Sequence, residues 1–310
     1  IFLFSLIFLS LFIFFFFHKH DNNKNNSFFL FSKETSILIN NWFMMYFLSV
    51  VLVGTIYPIF LDVIASEKIS IGPPFYHKLI VPFLIPFLLV MAIGPKLKWI
   101  KSDLLDKLNL IIFFAISVLL SIFIIKNLDV EFLTNSILLS FIFYLFFVTV
   151  RDFFIGRLNN LSQNIAHFGF SLFLLSIIFN NMLSTEVITN LKVGDTFQSE
   201  KFKIYFENLD QKKEKNFNSL IGKFLIENSE GETQIMKPEL RIYNQPNIVT
   251  SEAYIKTNLF SDKFMTMNYV QNQEYLNIRY QIKPLMIWIW ISVVIIALGG
   301  LISVIKKNEN

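Results

Sequence analysis

The sequence predicts a mainly α-helical membrane protein of about seven transmembrane helices, with a β-rich extramembrane domain inserted before the last helix. Long apolar runs alternate with short polar loops over residues 1–183, as in polytopic membrane proteins. A polar stretch follows in which apolar and polar residues alternate, as in strands with one buried face. The expected domains are a six-helix region of residues 1–183, a β domain of residues 184–283, and a final helix with its tail in residues 284–310.

The composition excludes several classes of function. Hydrophobic residues make up 54% of the 310 residues, and the mean hydropathy is +0.54. The chain has no cysteine, which excludes disulfides, thiolate metal sites and a thiol nucleophile within it. The net charge of +4 comes from lysine-rich loops and forms no basic stripe with exposed aromatic residues, so the sequence does not predict nucleic-acid binding.

Seven apolar runs define the predicted helices, at about residues 2–17, 40–62, 79–94, 108–125, 134–150, 164–183 and 284–305. The first run lacks a charged leading region and a small-residue cleavage site, which is atypical of a signal peptide. We interpret it as a transmembrane helix of a longer protein whose front part is absent. The third predicted helix is short, and Pro82 and Pro86 are expected to break it.

The distribution of basic residues predicts the orientation. One set of loops carries Lys19, Lys24, Lys33, Lys96, Lys98, Lys101, Lys107, Arg151, Arg157, Lys306 and Lys307. The opposite short loops carry little beyond Lys68, Lys78 and Lys126. We therefore expect the first set in the cytoplasm. The N-terminus and the β domain are then periplasmic, and the expected location is a bacterial cytoplasmic (inner) membrane.

The β domain shows two clear alternating patterns and one turn. Phe202, Ile204 and Phe206 alternate with polar neighbours, and a second alternating run begins at Leu276 and ends at Ile282. The segment Asn228–Gly231 is typical of a turn between two strands. About 100 residues are enough to bury a small hydrophobic core.

His167 is the most informative candidate for a functional residue. It lies just inside the sixth apolar run, where ionisable side chains are rare and tend to be functional. The alternative is a structural histidine hydrogen-bonded near the helix end. Asn164 and Ser171 are placed three residues before and four residues after it and are candidates to orient its ring.

Small residues lie beside this histidine. Ser162, Ala166 and Gly169 form a stripe that allows close approach either of a flat macrocycle or of another helix.

Several motifs together resemble one family. They are Gly54–Pro58, Lys68–Tyr76, Ala166–Gly169, Lys283–Trp290 and Ala297–Gly300, with smaller matches at Val193–Asp195 and Pro238–Tyr243. In this order and spacing they are similar to the C-terminal half of the CcmF-type cytochrome c biogenesis proteins, the CcmF/NrfE/CycK family of haem lyase subunits. The similarity covers nearly the whole chain.

The resemblance implies haem handling and haem attachment to apocytochrome c. It implies partners of three kinds: a CcmE-type haem chaperone, CcmH/CcmI-type proteins that handle the apocytochrome, and apocytochrome c itself, all at a lipid membrane. It also implies a resident haem b held by two membrane histidines, of which His167 matches one as an axial ligand of the haem iron.

Two features of the family have no match here. Its Trp-rich haem loop is missing, because the four tryptophans are scattered at positions Trp42, Trp99, Trp288 and Trp290. The second axial histidine is missing as well. We expect both in an upstream part, whether this chain is truncated or a natural half, and we expect this piece alone to be inactive.

A second candidate site is the run Gly72, Pro73, Pro74, Phe75 and Tyr76. A Pro-Pro pair favours a stiff, extended path, so we place the run in an outer loop before the third helix. It is either a plain connection or the rim of a periplasmic haem path against which the two aromatic rings lie.

The other histidines and two of the tryptophans have simpler interpretations. His77 is interpreted as an exposed loop residue. The spacing of His18 and His20 can bind a metal, but further ligands are missing nearby. Trp288 and Trp290 are interpreted as interfacial anchors of the last helix.

The function we expect is therefore haem handling in cytochrome c maturation. Two alternatives remain: a haem exporter or other permease, and a non-catalytic scaffold of the assembly complex. A proton-coupled transporter is disfavoured, because the predicted spans contain almost no carboxylates.

Overall fold

The computed structural model describes residues 2–17, 29, 31–66, 68–99, 107–128, 130–155, 161–229, 231–269 and 274–307. Within these residues the helices are α1 (Phe2–Phe17), α2 (Lys33–Ala65), α3 (Pro73–Ile93), α4 (Lys107–Lys126), α5 (Phe132–Ile155), α6 (Leu161–Leu183) and α7 (Met286–Lys307). A short 3₁₀ turn, Gly94–Lys96, extends α3. The predicted order of six helices, a β domain and a last helix is confirmed.

Six of the described helices, α2 to α7, are long and apolar enough to cross a membrane. The first predicted span is also helical over its described residues, Phe2–Phe17.

The third helix differs from the prediction. We expected a short helix broken by Pro82 and Pro86, but α3 runs without interruption over 21 residues with both prolines inside it. Prolines are tolerated in membrane helices where neighbours supply replacement hydrogen bonds. Beside the carbonyl of Lys78, which loses its helical donor at Pro82, Tyr46 Oη of α2 donates to the carbonyl oxygen of Leu79 at 2.9 Å.

Helix α6 packs between α5 and α7, and its contact with α7 is the more extensive of the two. A Cβ atom added at Gly299 of α7 would lie 2.7 Å from the backbone nitrogen of Ala166, and one at Gly169 would lie 3.0 Å from the backbone nitrogen of Ile296. Both helices therefore need glycine where their backbones approach. This is the ordinary small-residue packing of membrane helices.

The β domain is a sandwich of two antiparallel sheets. Its strands are β1 (Thr185–Leu191), β2 (Thr196–Gln198), β3 (Phe202–Lys213), β4 (Phe217–Asn228), β5 (Thr233–Met236), β6 (Glu239–Asn244), β7 (Asn247–Glu252), β8 (Tyr254–Thr257), β9 (Ser261–Tyr269) and β10 (Leu276–Pro284). One sheet has the order β1-β10-β9-β8. The other has the order β2-β3-β4-β6-β7, with β5 paired to β4.

The sandwich core contains the side chains that the alternating patterns place inside. Phe202, Ile204 and Phe206 are at most 3% exposed, and Ile278 and Tyr280 are at most 1% exposed. The rings of Phe202 and Tyr280 meet edge to face at 4.9 Å, which joins the two sheets. The predicted turn at Asn228–Gly231 is also confirmed, because Gly231 N donates to Asn228 O at 2.9 Å and Gly231 has a φ of +81°.

Candidate functional site

His167 lines a cavity of about 350 Å³ between α2, α3 and α6. It is half-buried and lies six residues after the start of α6, about 9 Å along the helix axis. The cavity is bounded by an apolar set, Ile37, Met44, Phe87, Val90, Met91 and Phe170, by a polar set, Lys33, Ser36, Asn40, Gln163 and His167, and by Gly94 and Pro95. The sequence indicated the histidine but not the two helices that face it.

Close packing of α2 on α3 shapes one wall of this cavity. A Cβ atom at Gly94 would clash with Ser36 Oγ, so the end of α3 lies directly against α2. The backbone of Lys33 donates to Lys98 O at 2.8 Å, and its ammonium group lies 5.4 Å from the centre of the Trp99 ring. The start of α2 is therefore fixed to the segment that follows α3.

Different faces of α6 contact α7 and line the cavity. The predicted stripe of Ser162, Ala166 and Gly169 is covered by α7, with Gly299 against the first two. Gln163, His167 and Phe170 line the cavity instead. The stripe therefore serves helix packing, and a macrocycle facing His167 would lie on a different side of α6.

A third face of α6 contacts α5. Asn164 Nδ2 donates to the carbonyl oxygen of Asp152 at 3.0 Å, and Ser171 Oγ donates to Phe168 O at 2.8 Å and lies 3.3 Å from Thr149 Oγ1. The two residues expected to orient the imidazole thus have hydrogen bonds of their own. In the part of the chain that the structure describes, no hydrogen bond reaches the imidazole of His167.

An ion pair joins the end of α3 to the end of α5 beside this cavity. Both carboxylate oxygens of Asp152 on α5 accept from Lys96 Nζ after α3, and the two side chains are 24% and 16% exposed. Because Asn164 of α6 binds the backbone of the same aspartate, three helices meet at one residue. Sequence reasoning missed this contact, since Lys96 and Asp152 are 56 residues apart.

The side chains around this cavity can be compared with what a metal ion or a haem iron requires. Among the described residues no group of three or more His, Cys, Asp or Glu side chains is placed to hold a metal. A haem iron needs only one or two axial ligands from the protein, and neutral imidazole is a common one. One imidazole beside an apolar cavity with polar groups at its edge fits that requirement.

The second candidate site lies at the other end of α3. Pro73 and Pro74 are the first residues of α3, after Gly72 as its N-cap, and do not lie in a loop. Proline suits these positions because the first helical N–H groups have no partner within the helix. Tyr76 is 14 residues, about 21 Å along the helix, from Val90 at the cavity, so the structure does not bring this run and His167 together.

Tyr76 also has a structural contact that the sequence did not show. A Cβ atom at Gly54 of α2 would lie 2.7 Å from Tyr76 Oη and 2.9 Å from its ring, so the tyrosine packs on the glycine. The motifs beginning at Gly54 and ending at Tyr76 therefore meet in space. The ring of Phe75 packs edge to face on Tyr76 at 5.3 Å.

The remaining histidines have different outcomes. His77 is exposed, as expected, but it belongs to the first turns of α3 and not to a loop. His18 and His20 lie outside the described residues, as do Lys19, Lys24, Lys101 and Arg157 of the orientation argument.

Trp288 has a role beyond interfacial anchoring. Its Nε1 donates to Leu259 O at 2.9 Å, and Leu285 N donates to Phe260 O at 2.8 Å, so the β8–β9 turn is attached to the start of α7. On the neighbouring helix, Asn180 Nδ2 donates to Pro284 O at 2.6 Å. A tryptophan and an asparagine beside the predicted domain boundary were the available signals for these contacts.

Comparison with known proteins gives matches of three kinds. The family model "CcmF C-terminal beta-sandwich" matches residues 182–284. A curated relative from Pseudomonas fluorescens, named cytochrome c-type biogenesis protein CcmF, is 24% identical over 297 residues, which is 90% of this chain and 44% of the relative. The CcmF protein of Haemophilus influenzae is 26% identical, with 90% and 45% covered, and that of Escherichia coli K12 is 24% identical, with 88% and 44% covered.

A solved structure gives the third match. The structure titled "Cytochrome c Heme Lyase CcmF" aligns with a TM-score of 0.69 and 21% identity, covering 88% of this chain and 46% of that one. This likeness shows a shared fold. The chain spans a little less than half the length of the relatives it matches. Together the three comparisons show that this chain is similar to the C-terminal portion of CcmF-type proteins, as its sequence motifs predict.

Proposed function

We propose that this chain acts in cytochrome c maturation, as the C-terminal part of a haem lyase subunit that holds a haem b with His167 as one axial ligand. The observation that carries the proposal is the position of His167, a histidine inside a membrane helix that lines a cavity. The curated relatives are named cytochrome c-type biogenesis proteins, which does not favour a permease or a scaffold.

The residues around the cavity suggest how it would work. Phe87, Val90 and Phe170 supply an apolar wall that excludes water, while Lys33 at the cavity edge offers a cation to an anionic group. The ion pair between Lys96 and Asp152, with Asn164, keeps α6 and its histidine in place. A haem bound here would supply a redox-active iron, and the ligand and the surrounding polarity would tune its potential.

The finer parts of the proposal follow the family resemblance. The partners would be a CcmE-type haem chaperone, CcmH/CcmI-type proteins and apocytochrome c. The membrane would be the bacterial inner membrane with the sandwich in the periplasm. Under this orientation the run Gly72–Tyr76 lies at the periplasmic end of α3, on the side where a rim of a haem path would be needed, and this role stays a prediction.

The test is the haem content of the complete gene product purified from membranes of a haem-replete host. Wild type, His167→Ala and His167→Met are compared by absorption and pyridine haemochrome spectra. We expect a bis-imidazole b-type spectrum in wild type. Haem should be lost or weakened in the alanine variant, and the axial ligation and potential should change in the methionine variant.

His77→Ala is the matched control, because His77 is exposed in α3 and lies far from the cavity. It should keep the wild-type spectrum. Unchanged haem in a folded His167→Ala protein would overturn the ligand assignment. A complete absence of haem from every variant would instead favour a scaffold role.

A further inference from the structure

The turn between β8 and β9 presents apolar side chains at the membrane end of the sandwich. Leu259 and Phe260 are 60% and 74% exposed, whereas Met265 and Met267 farther along β9 are fully buried. Two hydrogen bonds, from Leu285 N to Phe260 O and from Trp288 Nε1 to Leu259 O, hold this turn against the start of α7. The backbone that carries the two exposed side chains is thus fixed in position.

The length of α7 determines how far the β8–β9 turn lies from the hydrocarbon core of the membrane. Its 22 residues extend about 33 Å, only slightly more than a ~30 Å hydrocarbon core. The first turn of α7 must therefore lie at the boundary between acyl chains and headgroups. Trp290 in the same region is 64% exposed, and exposed tryptophan is typical of that boundary. Leu259 and Phe260 lie beside that boundary.

Two lysines lie just above this level. Lys256 of β8 is directly opposite Lys263 of β9, on the face that carries Met265 into the core. Since Ser261 pairs with Pro284, the lysine pair is two residues, or about 7 Å, farther from α7. The headgroup layer on each side of a bilayer is roughly 5–7 Å thick. The lysines are therefore at headgroup height.

The pair is electrostatically unfavourable by itself, because like charges directly opposite on neighbouring strands destabilise a sheet. Among the described residues neither lysine is in an ion pair, and Lys263 Nζ donates only to Gln234 Oε1 at 3.4 Å. Burial and the charge of Lys256 lower the pKa of Lys263, while Glu232 opposes this. Asp262, the other nearby acid, is buried, and burial raises its pKa.

We propose that the β8–β9 turn is a membrane anchor for the sandwich, with Leu259 and Phe260 inserted into the outer leaflet and Lys256 and Lys263 binding anionic phospholipid headgroups. Insertion buries apolar side chains that water otherwise surrounds, and lipid phosphates supply the ion-pair partner that neither lysine has among the described residues. The anchor fixes the tilt of the sandwich relative to the helices. The inference is independent of the haem proposal.

These 310 residues contain no cysteine, so a cysteine introduced into the sandwich adds a single labelling site to this part of the protein. We would label Phe260→Cys with an environment-sensitive fluorophore and reconstitute it in vesicles of phosphatidylcholine, with or without phosphatidylglycerol. Quenching by lipids that carry a spin label near the headgroup reports insertion. The matched control is Val193→Cys, an exposed apolar position in the β1–β2 turn at the far end of the sandwich.

We expect strong lipid quenching at position 260 and little at position 193, with the reverse order for aqueous iodide. In anionic vesicles, Lys256→Gln and Lys263→Gln should each reduce the inserted population about fivefold, the fold-change for ~1 kcal/mol per lysine near an anionic surface. Lys213→Gln, exposed at the far end of β3, should change nothing.

Two results would overturn the inference. Equal accessibility of positions 260 and 193 to iodide would show that the turn stays in water. Insertion that is identical in neutral and anionic vesicles, and unaffected by both glutamine variants, would show that the lysines do not bind headgroups.

Discussion

Phenylalanine side chains in the sandwich core are buried, whereas many on the membrane helices are exposed. Phe206 and Phe224 in the sandwich are at most 1% exposed and stack with ring centres 4.4 Å apart, whereas Phe123 of α4 and Phe154 of α5 are 68% and 81% exposed. The sandwich must exclude water from its apolar side chains, at about 25 cal/mol per Å². The helices are surrounded by lipid, where exposure of a phenylalanine costs almost nothing.

The difference indicates what holds each region together. Burial of large side chains stabilises the sandwich, while the helices associate through close backbone approach and polar contacts, because lipid tails are as apolar as leucine. In the helices the specific features are the glycines between α6 and α7 and the ion pair of Asp152, not the apolar residues that dominate the composition.

The largest expected effect comes from truncating the sandwich core. Phe224→Ala should lower the free energy of unfolding by about 3–5 kcal/mol, because it removes a fully buried ring and leaves a cavity. Phe123→Ala makes the same chemical change on a lipid-facing side chain and should alter stability by less than about 0.5 kcal/mol. Urea unfolding of the complete protein in mild detergent, followed by near-ultraviolet circular dichroism, measures both. Equal losses of unfolding free energy in the two variants would show that burial in the sandwich and exposure to lipid have the same energetic effect.

Next in size is the contact between α6 and α7. Gly299→Ala should destabilise the helix pair by about 1–3 kcal/mol, because the added methyl group meets backbone atoms of Ala166 that cannot move aside. Gly300→Ala is the neighbouring control, since a Cβ atom there meets nothing within 4 Å. Thermal unfolding in detergent distinguishes the two. A stable Gly299→Ala protein would show that the small-residue contact is dispensable.

The ion pair at the helix ends gives a third effect. Asp152→Ala should cost about 1–3 kcal/mol, between the values for exposed and buried pairs, because it leaves the partly buried Lys96 unpaired. Removing both charges in Lys96→Met with Asp152→Ala should recover part of that loss. A double-mutant cycle measured by thermal unfolding gives the coupling energy, and a coupling near zero would mean that the pair does not hold α3 to α5.

The sequence was sufficient for the order of elements but not for their ends. The predicted second helix began at residue 40, but α2 begins at Lys33, because Ser32 caps it by accepting from Thr35 N at 3.2 Å. Polar residues in the first turns of α2 resembled a loop, since hydropathy does not distinguish a helix that extends beyond the bilayer from a loop. Pro73 likewise begins α3 where an extended path was expected.

The candidate site was predicted only as a single residue. His167 stood out because an ionisable group in an apolar run is rare, and that property is visible in one segment of sequence. The cavity walls on α2 and α3 depend on which helix faces which. Residues as distant in sequence as Asn40 and His167 line the same cavity only through tertiary packing, and no local sequence pattern encodes that arrangement.

The smallest expected effect at neutral pH concerns a polar group that is buried inside the sandwich. Tyr280 is 1% exposed, its hydroxyl has no hydrogen-bond partner among the described residues, and burial raises its pKa from 10.0 to about 12. Tyr280→Phe should therefore stabilise the protein by about 1 kcal/mol at pH 7, because it removes an unpaired buried donor.

The pH dependence has a definite sign. The neutral phenol is favoured in the folded state, so its contribution is complete below pH 10 and is lost as the pH rises from 10 towards 12. Wild type should thus lose stability over that interval more steeply than Tyr280→Phe. Urea unfolding at a series of alkaline pH values measures the difference. Parallel profiles for the two proteins would mean that the Tyr280 hydroxyl is hydrogen-bonded to water or to another group in the folded state. The sandwich core would then be less completely closed to water than its apolar side chains indicate.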